Sequence, residues 1–336
     1  VVLDIGTTGV KAFVFDGQCR IMAKAYRIIG KTRPRKGWVE QDPKEILRVS
    51  MTVLKKAVKD AHVPLKTIRG VGVTNQREAT VLWDTQTGKP VYPIIGWEDA
   101  RTKSYCDALL TRADKLVRNA TGLTIDPYFS ASKIRWVLDH VAAVGRLLKE
   151  NRVAFGTIDS WILWNLCKER PHLTDETNAS RTLLFNIRKR NWDDRLLKVF
   201  GVSQAIVPSV RPSRSFFGTF RSEILGMEIP VLAVCGDQQA STYAAIRAQS
   251  ASATRVTKIT FGTGVFVVQT IGKTFRKSAS FFTTLVPGRY GTIYAFDQKI
   301  DGSGERVTHL LKDKNKLREY LYALTKKQMR LCNYFQ

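Results

Sequence analysis

Apolar and polar positions alternate over the first sixteen residues, "VVLDIGTTGVKAFVFD". Two apolar runs flank Gly-Thr-Thr-Gly, which predicts a strand, a tight turn and a second strand: a β-hairpin. The period then lengthens. In "QDPKEILRVSMTVLKKAVKDA" apolar residues recur three and four apart, with Asp42 in the N-cap position and Pro43 at the first helical position. That spacing predicts an amphipathic helix. "IRGVGVTNQREATVLWDTQTGKPVY" reads as a strand, a polar interruption, a second strand, and a turn at Thr87-Gly88-Lys89-Pro90. Helical spacing returns around 103–119, 131–149 and 159–168. "GMEIPVLAVC" predicts a strand running into Asp237, followed by a helix over Gln238–Gln249 with Tyr243, Ala244 and Ile246 inward. "TRVTKITFGTGVFVVQTIG" predicts another hairpin around Gly-Thr-Gly. Strands and helices interleave throughout, so the expected class is α/β.

Composition narrows the picture. The chain has 336 residues, enough for one large or two ordinary domains, and 44% of them are hydrophobic, as in a globular protein. No apolar run is long enough to cross a membrane. The chain opens on Val, without Met or a signal peptide, so residues are expected to be missing in front. The five Cys are scattered, with no CxxC pair, which fits a reducing compartment. The four His lie far apart, and no zinc-ligand spacing is present. Net charge is +25, but the basic residues are spread and no nucleic-acid motif accompanies them. The charge reads as a surface property that helps attract an anionic nucleotide, not as a specific nucleic-acid site.

Candidate chemistry sits where the pattern is interrupted. "DIGTTG" and "FGTG" place small residues between strands, where backbone N–H groups and hydroxyls can cradle phosphate. Either turn alone reads equally well as an ordinary tight hairpin turn, and neither is a Walker loop. Asp4, just before the first turn, could hold Mg²⁺ through water. Asp237 reads two ways: as the N-cap of the helix that follows, or as a carboxylate at a strand end, where α/β proteins bind ligands. Arg77 and Glu78 interrupt two strands. Trp97 ends "VYPIIG", Tyr128 follows Asp-Pro, and Phe266 lies in the second hairpin. Each has a bland reading, as a solvated loop pair, a core Trp, a turn aromatic and a core Phe. Together they suit a small polyol, with polar groups for hydroxyls and rings for the carbon backbone.

The chain resembles the FGGY carbohydrate kinases. Tyr128-x-Ser130-x-x-Lys133-Ile134-x-Trp136-Val137-x-Asp139-His140 reads as the family's helical signature. "GWVEQDP", "TNQREAT", "TGKPVYPIIGW", "TGLTIDPYFS", "FGTIDSWILW", "TDETNASRTLLFNI", "GDQQA" and "FGTG" follow in family order, over residues 1 to about 270. They are most similar to the glycerol-phosphorylating members. The resemblance implies an actin-like, ribonuclease-H-like fold of two α/β domains closing over a cleft. It implies a substrate-side domain over 1–244 and a partial nucleotide-side domain over 245–336. It implies ATP and Mg²⁺, transfer of the γ-phosphoryl group to glycerol, a cytoplasmic location and self-association. By matching motif, the glycerol contacts are Arg77, Glu78, Trp97, Tyr128, Asp237, Gln238 and Phe266, with Asp237 as general base. The nucleotide and metal side is Asp4, Thr7, Thr8, Lys11, Gly262, Thr263 and Gly304. Two positions depart from the pattern: Ile5 stands where these kinases carry Gln, and Lys11 where they carry Arg, keeping a cation but losing its fork. After "YGTIYAF" the pattern fades, so the second domain is expected to be incomplete. The chain is therefore expected to be a fragment or aberrant product of such a kinase; the alternatives are a chain completed by a partner, a glycerol-binding protein without kinase activity, or a kinase for another polyol or sugar.

Overall fold

The computed structural model describes residues 1–249, 255–261 and 265–300. The first sheet grows from the predicted hairpin. β1 (Val2–Ile5) and β2 (Gly9–Phe15) pair antiparallel with Ile5 opposite Val10, and β3 (Ile21–Ile28) pairs antiparallel with β2. α1 (Pro43–Asp60) then carries the chain to β4 (Val71–Asn75), parallel to β1. Asp42 caps α1, its carboxylate accepting the Lys44 N–H at 2.8 Å. Further along, β5 (Gly218–Phe220) pairs antiparallel with β6 (Ile229–Gly236), which runs parallel to β4. The six-stranded order is β5-β6-β4-β1-β2-β3.

One face of this sheet is the core. Leu3, Ile5, Val10, Ala12, Val73 and Val234 pack against the α1 stripe Ile46, Val49, Val53, Leu54 and Ala57. α5 (Ile158–Leu166) adds Trp161, Ile162 and Leu166 to the same cluster. Burying a side chain of this size contributes roughly 1.5–3 kcal/mol each. A second cluster joins α2 (Lys103–Thr121), α3 (Ser130–His140) and α4 (Ala142–Lys149), with Val117, Phe129, Ile134, Val144 and Phe185 at its centre.

After β6, α6 (Asp237–Ala248) leads to an antiparallel sheet of β7 (Thr257–Phe261), β8 (Val265–Gly272), β9 (Phe282–Gly288) and β10 (Gly291–Ile300) in the order β7-β8-β10-β9. β7 and β8 form the second predicted hairpin.

Three local expectations are corrected. The helix expected over 131–149 is two helices, because Val141 adopts extended angles (φ −102°, ψ 98°) between α3 and α4. Asp237 is not the N-cap: Gly236 is, and Asp237 is the first helical residue, its Oδ1 accepting the Gln238 N–H at 2.7 Å. On α6, Thr242 and Ile246 are buried and Tyr243 half-buried, but Ala244 faces outward.

The parallel register positions the site. Ile5, Asn75 and Gly236 stand level across β1, β4 and β6. The segments that follow them therefore leave the sheet at one end, where open α/β sheets bind ligands.

Candidate active site

The three strand ends deliver Thr7, Gln76-Arg77-Glu78 and Asp237. Gln76 N–H donates to the Ile5 carbonyl at 2.7 Å, tying the second segment to the first. The next turn is tight: Ala79 N–H reaches back to the Arg77 carbonyl at 2.7 Å, with Glu78 between them at φ 62°. A non-glycine residue in that region stores strain and persists only where its surroundings hold it. The strain turns Arg77 and Glu78 inward together, and they are 3% and 1% exposed, not a solvated loop pair. Gly236 makes room for them. A Cβ there would lie 2.8 Å from Arg77 Cγ, so a larger residue would push the arginine out of place.

Charge is balanced beneath the cavity. Arg77 Nη1 donates to Asp297 Oδ2 at 2.7 Å, while its Nε lies 3.6 Å from Asp237 Oδ1 and 3.8 Å from Glu78 Oε1. Arg181 Nε donates to Glu78 Oε1 at 2.6 Å, and its Nη1 lies 3.3 Å from Asp297 Oδ2. The Arg181 guanidinium also sits over the rings of Phe129 and Tyr128, at 5.0 and 5.5 Å. Burial opposes the charge on Asp297, but Arg77 and Arg181 overcome it and hold that carboxyl below the usual range. Asp237 responds differently. Withdrawal from bulk water pushes its carboxyl up to about 6, with Glu78 and Asp4 adding to the rise and Arg77 opposing it. Its side chain stays 34% exposed, open to the cavity.

The cavity above encloses about 150 Å³. All seven residues expected to touch substrate line it: Arg77, Glu78, Trp97, Tyr128, Asp237, Gln238 and Phe266, together with Thr7, Gln76 and Thr260. Trp97 meets Tyr128 and Phe266 edge-on at 5.8 and 6.1 Å, making an apolar wall, and its Nε1 donates to Thr7 Oγ1 at 2.9 Å. Gln238 is oriented by two donors. Lys258 Nζ and Thr260 Oγ1 both reach its Oε1, at 2.6 and 3.1 Å. Its amide NH₂ is thereby left as the group to offer a ligand. Burial brings the Lys258 ammonium down to about 8, against the pull of Asp237.

The residues expected on the nucleotide and metal side are placed at the first hairpin. Asp4 is half-buried and 3.6 Å from Lys11 Nζ. Burial raises its carboxyl, and Lys11 works against that rise. Thr8 is exposed, and its carbonyl accepts the Ile29 N–H at 3.2 Å. Thr7 turns toward the cavity and accepts the Trp97 bond there. Gly262, Thr263 and Gly304 lie outside the described residues. Among the described residues, no group of three or more His, Cys, Asp or Glu is arranged to hold a metal ion by itself.

Arg181, Asp297, Lys258, Thr260 and Gln76 are the site residues that sequence reasoning missed. Arg181 stands inside "TDETNASRTLLFNI", a segment read for its likeness and not for a charge. Asp297 follows the point where the pattern fades. Its signal is a lone carboxylate in the alternating strand "GTIYAFDQKI".

The pattern described as the FGGY family of carbohydrate kinases, N-terminal domain, matches residues 1–244. Glycerol kinase 2 of Thermotoga maritima is 41% identical over 294 residues, covering 87% of this chain and 58% of that protein. A glycerol kinase of Alcanivorax borkumensis is 40% identical over 319 residues, covering 93% of this chain and 63% of that one. Among solved structures, Plasmodium falciparum glycerol kinase with ADP aligns at a TM-score of 0.83 with 29% identity, covering 94% of this chain and 63% of that one. A xylulose kinase from Rhodospirillum rubrum aligns at 0.80 with 21% identity, a likeness of fold. The chain thus spans about 60% of the length of the curated relatives it matches.

Proposed function

The chain belongs to the FGGY family of carbohydrate kinases, with their actin-like, ribonuclease-H-like fold, and we propose that it transfers the γ-phosphoryl group of ATP to glycerol, giving glycerol 3-phosphate. The observation that carries this reading is the convergence of seven residues from separate segments on one cavity, with Asp237 at its open side.

The cavity's size favours glycerol over a longer sugar. About 150 Å³ holds a molecule the size of benzene, and glycerol has as many non-hydrogen atoms. Drug-sized ligands occupy roughly 300–1,000 Å³. Arg77, Glu78 and the Gln238 amide supply donors and acceptors for hydroxyls, and Trp97, Tyr128 and Phe266 face the carbon chain. The glycerol kinases at about 40% identity support the same substrate.

Asp237 is the general base. At neutral pH a carboxyl near 6 is mostly ionised yet basic enough to accept a proton as the acceptor hydroxyl bonds to phosphorus. The transition state is loose, so holding the acceptor oxygen in line matters more than strong basicity. Gln238 and Arg77 do that holding, and the aromatic wall keeps out water that would otherwise compete as acceptor. The nucleotide phosphates belong at the first hairpin turn, beside Thr8 and Lys11, with Gly262, Thr263 and Gly304 completing the donor side. Asp4 would hold Mg²⁺ through water. It is a hard oxygen ligand near Asp237, and the ion would offset phosphate charge. On this reading residues 1–244 form the substrate-side domain, and 245–336 belong to the nucleotide side.

The test is glycerol 3-phosphate formation by the purified chain with Mg-ATP and glycerol, with Asp237→Ala as control. Turnover that the substitution abolishes is expected. Glycerol binding by a folded chain without turnover would favour the second reading, a binding protein kept from a kinase. The span of about 60% of its relatives' length is what keeps that reading open.

A further inference from the structure

Behind the strand ends lies a carboxylate that the proposed reaction does not use. Asp175 closes the short strand Leu173–Asp175, which pairs parallel with Ser209–Arg211, and a single helical turn, Glu176–Ala179, follows it. Its side chain is fully buried. Oδ1 accepts from the Asn178 backbone N–H and from Asn178 Nδ2, both at 2.9 Å. Oδ2 accepts the Thr177 N–H at 3.1 Å, the Thr177 hydroxyl at 2.7 Å and the Ser213 hydroxyl at 2.6 Å. All of these donors are neutral groups. A buried carboxylate without a cation on it is costly to keep unless its bonds are made in full.

Capping a single turn accounts for the two backbone bonds. It does not account for the side-chain donors, and two of those lead on to the site. Thr177 Oγ1 gives its proton to Asp175 and accepts the Gly236 N–H at 2.9 Å. Gly236 ends β6, and Asp237 is the next residue. Asn178 exchanges amide bonds with Asn75, at 3.0 and 3.1 Å. Asn75 ends β4, and its Nδ2 also donates to the carbonyl of Gln76 at 2.8 Å, one residue before Arg77. Thr177, Asn178 and Asn75 are fully buried, so water does not compete for these bonds. Each bond in such a chain polarises the next.

We propose that Asp175 is a positioning residue for the phosphoryl transfer. Through Thr177 it fixes the backbone from which the base Asp237 projects. Through Asn178 and Asn75 it fixes the loop that presents Arg77 and Glu78. The inference rests on the proposed reaction and adds to it a common anchor for the base and the hydroxyl-binding pair. The two arms end on groups with different tasks, so their effects separate. The Thr177 arm acts on the base and hence on kcat. The Asn178 arm acts on the groups that hold the hydroxyls and hence on KM for glycerol.

The experiment is steady-state kinetics of the full chain with Mg-ATP and varied glycerol, alongside glycerol affinity by titration calorimetry. Thr177→Val keeps the shape and the backbone capping bond but loses the hydroxyl. It should lower kcat by about ten- to a hundredfold, the scale of a small misplacement of a reacting group. KM and Kd for glycerol should stay within about twofold. Thr177→Ser restores the oxygen and should restore most of kcat. Asn178→Leu should raise KM and Kd for glycerol about tenfold, with a smaller loss of kcat. Asp175→Asn turns one acceptor into a donor facing other donors and should show both effects together. If that variant fails to fold, the two arm variants still decide, since each leaves Asp175 in place. Folded arm variants with unchanged kinetics would overturn the inference and leave Asp175 as the cap of one turn. Equal changes in kcat and KM in both arms, with no recovery in Thr177→Ser, would overturn it as well. A parent that binds glycerol without turnover removes the proposed transfer, and the Asn178 arm then stands or falls on Kd alone. A parent that does neither removes the proposed reaction and this inference with it.

Discussion

On the proposed reading, Asp237 is the general base, and its surroundings set its chemistry. Its carboxyl sits near 6 because burial and the neighbouring Glu78 outweigh the pull of Arg77. Only the ionised form accepts a proton, so kcat should rise with pH through about 6 and level off above 7. Asp237→Asn should lower kcat by about 10²–10⁴-fold. A flat profile between pH 5 and 8 would remove Asp237 from the role of base. Gln238 makes a quieter demand on its neighbours. Lys258 and Thr260 share its Oε1, so Lys258→Met leaves a single donor to fix the amide. We expect KM for glycerol to rise about tenfold, equal to 1.4 kcal/mol, with a smaller change in kcat. A loss confined to kcat would instead place Lys258 on the transferred group.

The elements meet through Asp297. It rises from β10, in the four-stranded sheet, and accepts from Arg77, which leaves the end of β4 in the six-stranded sheet. Arg181 lies against the same oxygen. Asp297→Ala would leave two buried guanidiniums short of a counter-charge, at a cost of about 3–5 kcal/mol in chemical denaturation. A loss below about 1 kcal/mol would mean that Glu78 and Asp237 suffice. Local periodicity made much of the scaffold legible: both hairpins, the capped α1, and the strand entering Asp237. It failed at Val141 because Val137, Val141, Val144 and Leu147 continue the helical spacing through a residue whose backbone has left the helix. It also could not reveal that Ile5, Asn75 and Gly236 stand level, since parallel register depends on contacts far apart in sequence. Most of the cavity-lining residues stood out where the pattern is interrupted, and their likeness to a family drew them together and added Gln238. Their buried counter-charges did not stand out, because a carboxylate in a strand looks the same in sequence whether it faces water or an arginine.

At the scale of the whole molecule, buried carboxyls of opposite tendency shape stability against pH. Asp159 is fully buried in α5, accepts from the Thr157 and Thr174 hydroxyls, and feels Asp175 nearby. Burial first, and Asp175 second, push its carboxyl up to about 7. The folded chain therefore holds a proton there that the unfolded chain releases near 4. Between those values the folded state binds more protons, so stability falls as pH rises, and Asp237 adds to the fall up to about 6. On the acid side the sign reverses. Asp297 and Asp84 are held low, Asp84 at about 2 by its hydrogen bonds to Arg152, so their contributions are lost as pH drops below 4. The net charge of +25 also grows as carboxylates protonate, and self-repulsion with it. Stability should peak near about pH 4, and Asp159 should account for much of the decline between there and about pH 7. Asp159→Asn keeps the shape without the ionisation. By calorimetry it should raise Tm relative to the parent at pH 8, by a free energy of a few kcal/mol, and show little or no gain at pH 4. An equal difference at both pH values would mean that Asp159 does not titrate in this range and that its substitution acts through packing alone.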